Sequence, residues 1–116
     1  IHASEAGIAT QIKAMEGLLD ETKYNLSFDL SGPAKNILQK RPKMNLEAAD
    51  LVICGFDDIK IDLTSTLLRK ANKLNIPTIG ILDTWKGIDR FFYPDSSIRP
   101  LSDILLIMDC TNLFTQ

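Results

Sequence analysis

Leu51-Val52-Ile53-Cys54-Gly55, then Leu63, Leu67, Ala71 and Leu74 at helical spacing, then Thr78-Ile79-Gly80-Ile81-Leu82 form the stretch that decides the fold. The first run has no polar alternation, as in a strand covered on both faces, and Gly55 ends it. Asp62 is positioned to cap the helix that follows, and Asn75-Ile76-Pro77 ends that helix just before the second apolar run. Strand, amphipathic helix and strand in this order predict a right-handed crossover joining two parallel strands.

The same alternation extends in both directions. Upstream, Ile8, Ile12, Met15 and Leu19 lay one apolar stripe along a helix of about four turns, with Ser4 as its expected cap. Leu26, Phe28 and Leu30 then alternate with Asn25, Ser27 and Asp29, a strand with one face less buried. Ser31-Gly32-Pro33 breaks it and opens a short helix through Ala34, Ile37 and Leu38. Downstream, Ile104-Leu105-Leu106-Ile107-Met108 forms a last strand ending at Asp109. Four strands are thus predicted, and Ile1-His2 stands where the carboxyl end of a fifth, leading strand belongs. The expectation is one α/β domain over residues 1–116, Rossmann-like and three-layered, with a parallel sheet of four to five strands and helices on both faces. Because the chain opens at Ile1 rather than Met and almost at once enters a helix, it is expected to open part-way through a longer protein.

Composition narrows the function. The chain has 116 residues, 45% of them hydrophobic, enough for a core without external staples, and a formal charge of -2. It carries no electrostatic footprint for nucleic acid or an anionic membrane. Lys40, Arg41 and Lys43 cluster around Pro42, where a solvated loop is expected. Cys54 and Cys110 each end an apolar run and read as small buried hydrophobes, which points to a cytoplasmic setting. No apolar run reaches the length of about 18 residues that a membrane span needs, and no leader pattern precedes the domain.

In a parallel sheet, ligands bind beyond the carboxyl ends of the strands, so the loops there supply the candidates. Ser4, Glu5 and Gly7 open a helix whose free N–H groups suit a phosphate or carboxylate, although Glu5 repels an anion and Ser4 also serves as a plain cap. Gly32 lies in a second such turn, followed by Lys35; a tight turn with a solvated lysine is the competing reading. His2, the only histidine, is a possible base or switch with no partner evident in the sequence. Asp57 and Asp58 read as solvated loop acids. Asp83 and Trp85 just past a buried strand, with Arg90, Phe91, Phe92 and Tyr93 after them, form either a platform for a sugar, a base or a partner, or a lid on the core. No paired carboxylates, Cys/His metal spacing or nucleophile elbow occurs, so neither a metal nor a cofactor is expected and the catalytic residues stay unassigned.

Ala49-Asp50-Leu51-Val52-Ile53-Cys54-Gly55, Asn75 through Asp83-Thr84-Trp85, Arg90-Phe91 and Leu106-Ile107-Met108-Asp109 together resemble the amino-terminal Rossmann-like domain of GT-B-type proteins. That group includes bacterial polysaccharide glycosyltransferases and UDP-N-acetylglucosamine 2-epimerases. The resemblance covers about residues 46 to 110. It implies a second Rossmann domain carrying most of the nucleotide-sugar contacts, with this half supplying acceptor-side loops to a shared cleft and Ser4, Glu5, Gly7, Gly32, Asp83 and Trp85 as its ligand-binding residues. The alternative is a non-catalytic flavodoxin-like or receiver-like binding module, or an aromatic interface at Trp85 and residues 91–93. The substrate and the oligomeric state are not encoded in any motif.

Overall fold

In a computed structural model, residues 1–20, 22–39, 41–57, 62–82 and 91–107 are described. Five strands form one sheet: β1 (His2–Ala3), β2 (Asp29–Leu30), β3 (Val52–Gly55), β4 (Thr78–Leu82) and β5 (Ile104–Ile107). Their spatial order is β2-β1-β3-β4-β5, and every pairing is parallel. A leading strand does precede α1, with His2 and Ala3 in the ladder.

The helices described are α1 (Ala6–Glu16), α2 (Ala34–Ile37) and α3 (Leu63–Lys73), with a 3-10 turn at Leu46–Ala48. Helix α1 ends before the predicted Leu19, and the ladder keeps only the end of the predicted 26–30 strand. In both cases the apolar pattern runs further than the hydrogen bonds, since hydrophobic spacing records burial and not pairing.

Alternation along the strands divides the core into two layers. Ile1, Ala3, Phe28 and Ile81 pack with Ile8, Ala9 and Ile12 of α1 and with Ala34 and Leu38 around α2. Val52, Cys54, Phe56 and Leu82 face the other way, onto Leu67, Leu68 and Ala71 of α3. Helices on both faces of a parallel sheet make this a three-layer α/β domain of Rossmann-like type. Helix α1 lies so close to β3 that a Cβ on Gly55 would collide with the Ile8 side chain, so only glycine admits this approach. No helix among the described residues is long and apolar enough to cross a membrane.

One further pairing extends the sheet. Phe28 and Lys43 form an isolated parallel bridge, closed by Phe28 N–H donating to Pro42 O at 2.7 Å and Met44 N–H donating to Phe28 O at 2.8 Å. Chain segment 42–44 therefore runs beside β2 on its outer side. Counted with this one-residue extension, the order across the sheet becomes third, second, first, fourth, fifth, sixth in chain sequence, the order of dinucleotide-binding domains.

A buried ion pair fastens the segment before β5 to the body. Arg99 has no exposed side-chain surface, and its Nη2 donates to Asp57 Oδ1 at 2.8 Å and to Asp62 Oδ1 at 2.9 Å. Its Nη1 donates to Asp57 O at 2.9 Å and its Nε to Ser65 Oγ at 3.2 Å. The other Asp57 oxygen accepts from Leu63 N–H at 2.9 Å and Thr64 N–H at 3.3 Å, so Asp57 caps α3. Two expectations are corrected here. Asp57 is not a solvated loop acid, because the Arg99 charge and the α3 amides replace its water. Asp62 occupies the N-cap position, yet its backbone is left-handed at φ 51 and its side chain makes no cap bond; its carboxylate is taken by Arg99 and by Tyr93, whose hydroxyl donates at 3.0 Å. Asp58 lies outside the described residues.

Removing one partner of a buried pair leaves an uncompensated charge, which costs about 3–5 kcal/mol. Arg99→Met is expected to lower the unfolding free energy by about that amount in urea titration, and adding Asp57→Asn to it to restore part of the loss. A loss below about 1 kcal/mol would contradict the role given to this clasp.

Candidate functional site

The strand order reverses between β1 and β3, so the crevice at their carboxyl ends is where a parallel sheet of this kind binds ligands. β1 runs out through Ser4 into Glu5, the N-cap of α1, whose extended backbone carries no side-chain cap bond. The expected Ser4 cap is absent: its hydroxyl is buried without a hydrogen-bond partner among the described residues. Gly7 lies exposed in the first turn of α1. Among the described residues, Ala9 N–H is the first amide of this helix to find a backbone acceptor, Glu5 O at 3.0 Å, which leaves the amides of Ala6, Gly7 and Ile8 without a backbone acceptor there.

The β2 turn closes on this loop. Ser31 N–H donates to Ala3 O at 3.1 Å and Ala34 N–H to Ser4 O at 3.2 Å. Gly32 has φ +53, and a Cβ there would meet Ser4 O at 3.0 Å, so glycine is required for both backbone angle and space. Ser4, Glu5, Gly7 and Gly32 are thus brought together on one rim. Asp83, Trp85 and Arg90 lie outside the described residues. Of the aromatic segment, Phe91 packs edge-on against Phe56 with ring centroids 5.2 Å apart and joins the α3-side core, whereas Phe92 is exposed. Lys35 is exposed on α2.

His2 has a partner that sequence reading missed. It pairs in register with Asp29 across β1 and β2, is only 1% exposed, and its Nδ1 lies 3.0 Å from Asp29 Oδ2. The aspartate is 54% exposed and forms part of the wall of a cavity of about 610 Å³ between α3 and the 43–47 segment. That volume falls within the range of about 300–1,000 Å³ usual for small-molecule sites. Met44, Leu46, Leu63 and Leu67 supply its apolar surface, and Lys43, Lys70 and Lys73 its cations. The period-two pattern could have revealed the dyad only if the register of β1 with β2 had been known.

Cys54, the residue paired with His2 on the β3 side, is fully buried. Burial pushes its thiol from the ordinary 9.0 up to about 12. The neighbouring carboxylate of Asp57 acts in the same direction. A thiol held neutral in this way is no nucleophile. Among the described residues no group of three His, Cys, Asp or Glu is placed to hold a metal ion.

No protein-family model matches the chain, and neither the curated proteins nor the solved structures contain a match to it. The site therefore stands on its own geometry.

A rise from 9.0 to about 12 means about a thousandfold less thiolate at neutral pH. In a Cys110→Ser variant, native Cys54 is expected to react with a maleimide at least that much more slowly than in urea. The raised value also fixes a sign: the folded state keeps a proton that the unfolded chain releases, so this contribution is intact below pH 9.0 and is lost as the pH climbs toward 12. Comparable labelling rates in native and unfolded protein would contradict the burial.

Proposed function

We propose that this domain is the amino-terminal, acceptor-side half of a GT-B-type glycosyltransferase or sugar-nucleotide-modifying enzyme, inactive alone and completed by a second Rossmann-type domain. The observation that carries the reading is the parallel bridge at Phe28 and Lys43, which extends the sheet to the dinucleotide-binding order around the reversal between β1 and β3. At that reversal, the α1 amides of Ala6, Gly7 and Ile8 offer donors and a positive helix end to a phosphate group. Ser4 and Gly32 shape the same rim, and Glu5 at the helix start limits how far an anion can advance. Asp83 and Trp85 enter this proposal through the resemblance alone, as acceptor-side residues.

The division of labour follows from what the rim contains. Its described residues offer groups that bind and orient but no activated nucleophile among them, so donor binding and much of the chemistry are assigned to the second domain. A flavodoxin-like binding module is the second reading, and the five named strands without the bridge favour it, since β2-β1-β3-β4-β5 is also the flavodoxin-like order. The receiver version of that reading is weakened by Asp57. This acid at the end of a central strand has no exposed side-chain surface and is bound to Arg99 and α3, so no phosphodonor can approach it in line.

Calorimetric titration of a protein comprising this domain and its natural flanking sequence with UDP-, GDP- and CDP-sugars tests the proposal. Heat is expected with one nucleotide class. Gly7→Asp, which suits the first turn of a helix but opposes a phosphate there, is expected to weaken that binding at least about tenfold. Neither heat nor turnover with any of the three classes would remove the sugar-enzyme reading.

A further inference from the structure

Three buried polar side-chain atoms lack a hydrogen-bond partner among the described residues: His2 Nε2, Ser4 Oγ and Ser31 Oγ. They share one place in the fold. His2 and Ser4 are two residues apart at the end of β1, and Asp29 and Ser31 hold the matching positions at the end of β2, with His2 opposite Asp29 in the ladder. Paired residues of neighbouring strands share a face, so His2 and Asp29 lie with Cys54 on the α3 side of the sheet. Ser4 and Ser31 follow the last residues of β1 and β2 by one, and Ser31 N–H donates to Ala3 O, so the four polar residues gather at the carboxyl ends of two neighbouring strands. Native proteins rarely leave such atoms unpaired, because each costs about 1–3 kcal/mol, so three together need a common explanation.

We infer that this patch is a subsite for the hydroxyl groups of a sugar or similar polyol, rather than for its phosphate. The inference rests on the proposed sugar-binding role of the cleft and adds which part of the ligand is read where. Hydrogen-bond polarity makes the choice. A carboxylate can only accept, so the 3.0 Å contact between His2 Nδ1 and Asp29 Oδ2 places the proton on Nδ1. In the neutral ring Nε2 is then an acceptor, which repels a phosphate oxygen and accepts from a hydroxyl. Ser4 and Ser31 each offer one donor and acceptor lone pairs, the complement of a second, neighbouring hydroxyl. A phosphate finds bare amides one step along the chain, at the start of α1, so a sugar phosphate can span the two places without either meeting the wrong polarity. Asp29, the exposed member of the group and the partner of His2, lines the cavity of about 610 Å³ beside α3.

The ring nitrogens of His2, assigned by the loss of their signals in His2→Gln, report the test directly. NMR spectra resolving Nδ1 and Nε2 are recorded on the protein with its natural flanking sequence during titrations with N-acetylglucosamine, ribitol and inorganic phosphate in turn. The expected result is that a sugar or polyol moves Nε2 toward the shift of a hydrogen-bonded acceptor while Nδ1 stays protonated, that Ser4→Ala and Ser31→Ala each weaken this response about tenfold, and that phosphate leaves Nε2 unmoved. Movement with phosphate alone would overturn the inference in favour of an anion site. No movement with any probe would overturn it in favour of an ordered water filling the patch. If nucleotide sugars release heat while Nε2 is silent, the subsite fails and the enzyme reading stands; if Nε2 responds to a polyol while no nucleotide sugar binds, the subsite stands and that reading fails.

Discussion

Everything proposed for this domain depends on neighbouring strands running in the same direction. Parallel strands cannot be joined by a tight hairpin, so each connection must cross the sheet and return to the same starting end. All the turns leaving strands then gather on one rim, which carries the start of α1, the Gly32 turn and the Asp57 cap of α3. Reversing a single pairing would send one of these turns to the opposite end of the sheet. The one-residue bridge of Lys43 to Phe28 has a weight beyond its size for the same reason, since it settles on which side of β2 the chain passes before β3.

The polar groups of the domain fall into two sets. Around Arg99 the hydrogen bonds are spent internally: Asp57, Asp62 and Ser65 bind the guanidinium, Tyr93 donates to Asp62 behind it, and the guanidinium also lies over the Phe56 ring at 5.9 Å. For Asp62, partial burial by itself would raise the carboxyl. Bonds from Ser65 and Tyr93 and the Arg99 charge outweigh that effect and hold it below the ordinary 3.8. This network locks the segment before β5 onto α3 and offers nothing to a ligand. At the ends of β1 and β2 the situation differs: among the described residues, His2 Nε2, Ser4 Oγ and Ser31 Oγ are buried with no hydrogen-bond partner.

Much of the architecture was legible because it is written in period and punctuation. The run from Leu51 to Gly55, the helical spacing of Leu63 to Ala71 and the stop at Pro77 correspond to β3, α3 and the approach to β4. The rim positions Ser4, Glu5, Gly7 and Gly32 followed from the rule that parallel sheets bind at strand ends, and the fold does gather them there. What stayed hidden depends on contacts distant in sequence. Arg99 lies 42 residues from Asp57, and no local pattern announces that a lone arginine in a Pro-rich segment will be fully buried. His2 and Asp29 are 27 residues apart, and their meeting depends on a register that two-residue strands leave unmarked. Asp57 was misread because adjacent acids in a turn ordinarily face water, and only the guanidinium reverses that preference.

Strand direction at the β1–β2 edge is thus the claim on which the crevice, the phosphate-facing amides and the hydroxyl subsite all rest. Cross-strand proton contacts by NMR test it most directly. The account predicts amide-to-Hα contacts in the parallel pattern from β1 to residues 28–31 and from Phe28 to residues 42–44, with no short Hα–Hα contacts across either pair. Short Hα–Hα contacts, the mark of antiparallel neighbours, would contradict it and separate the turns that form the site.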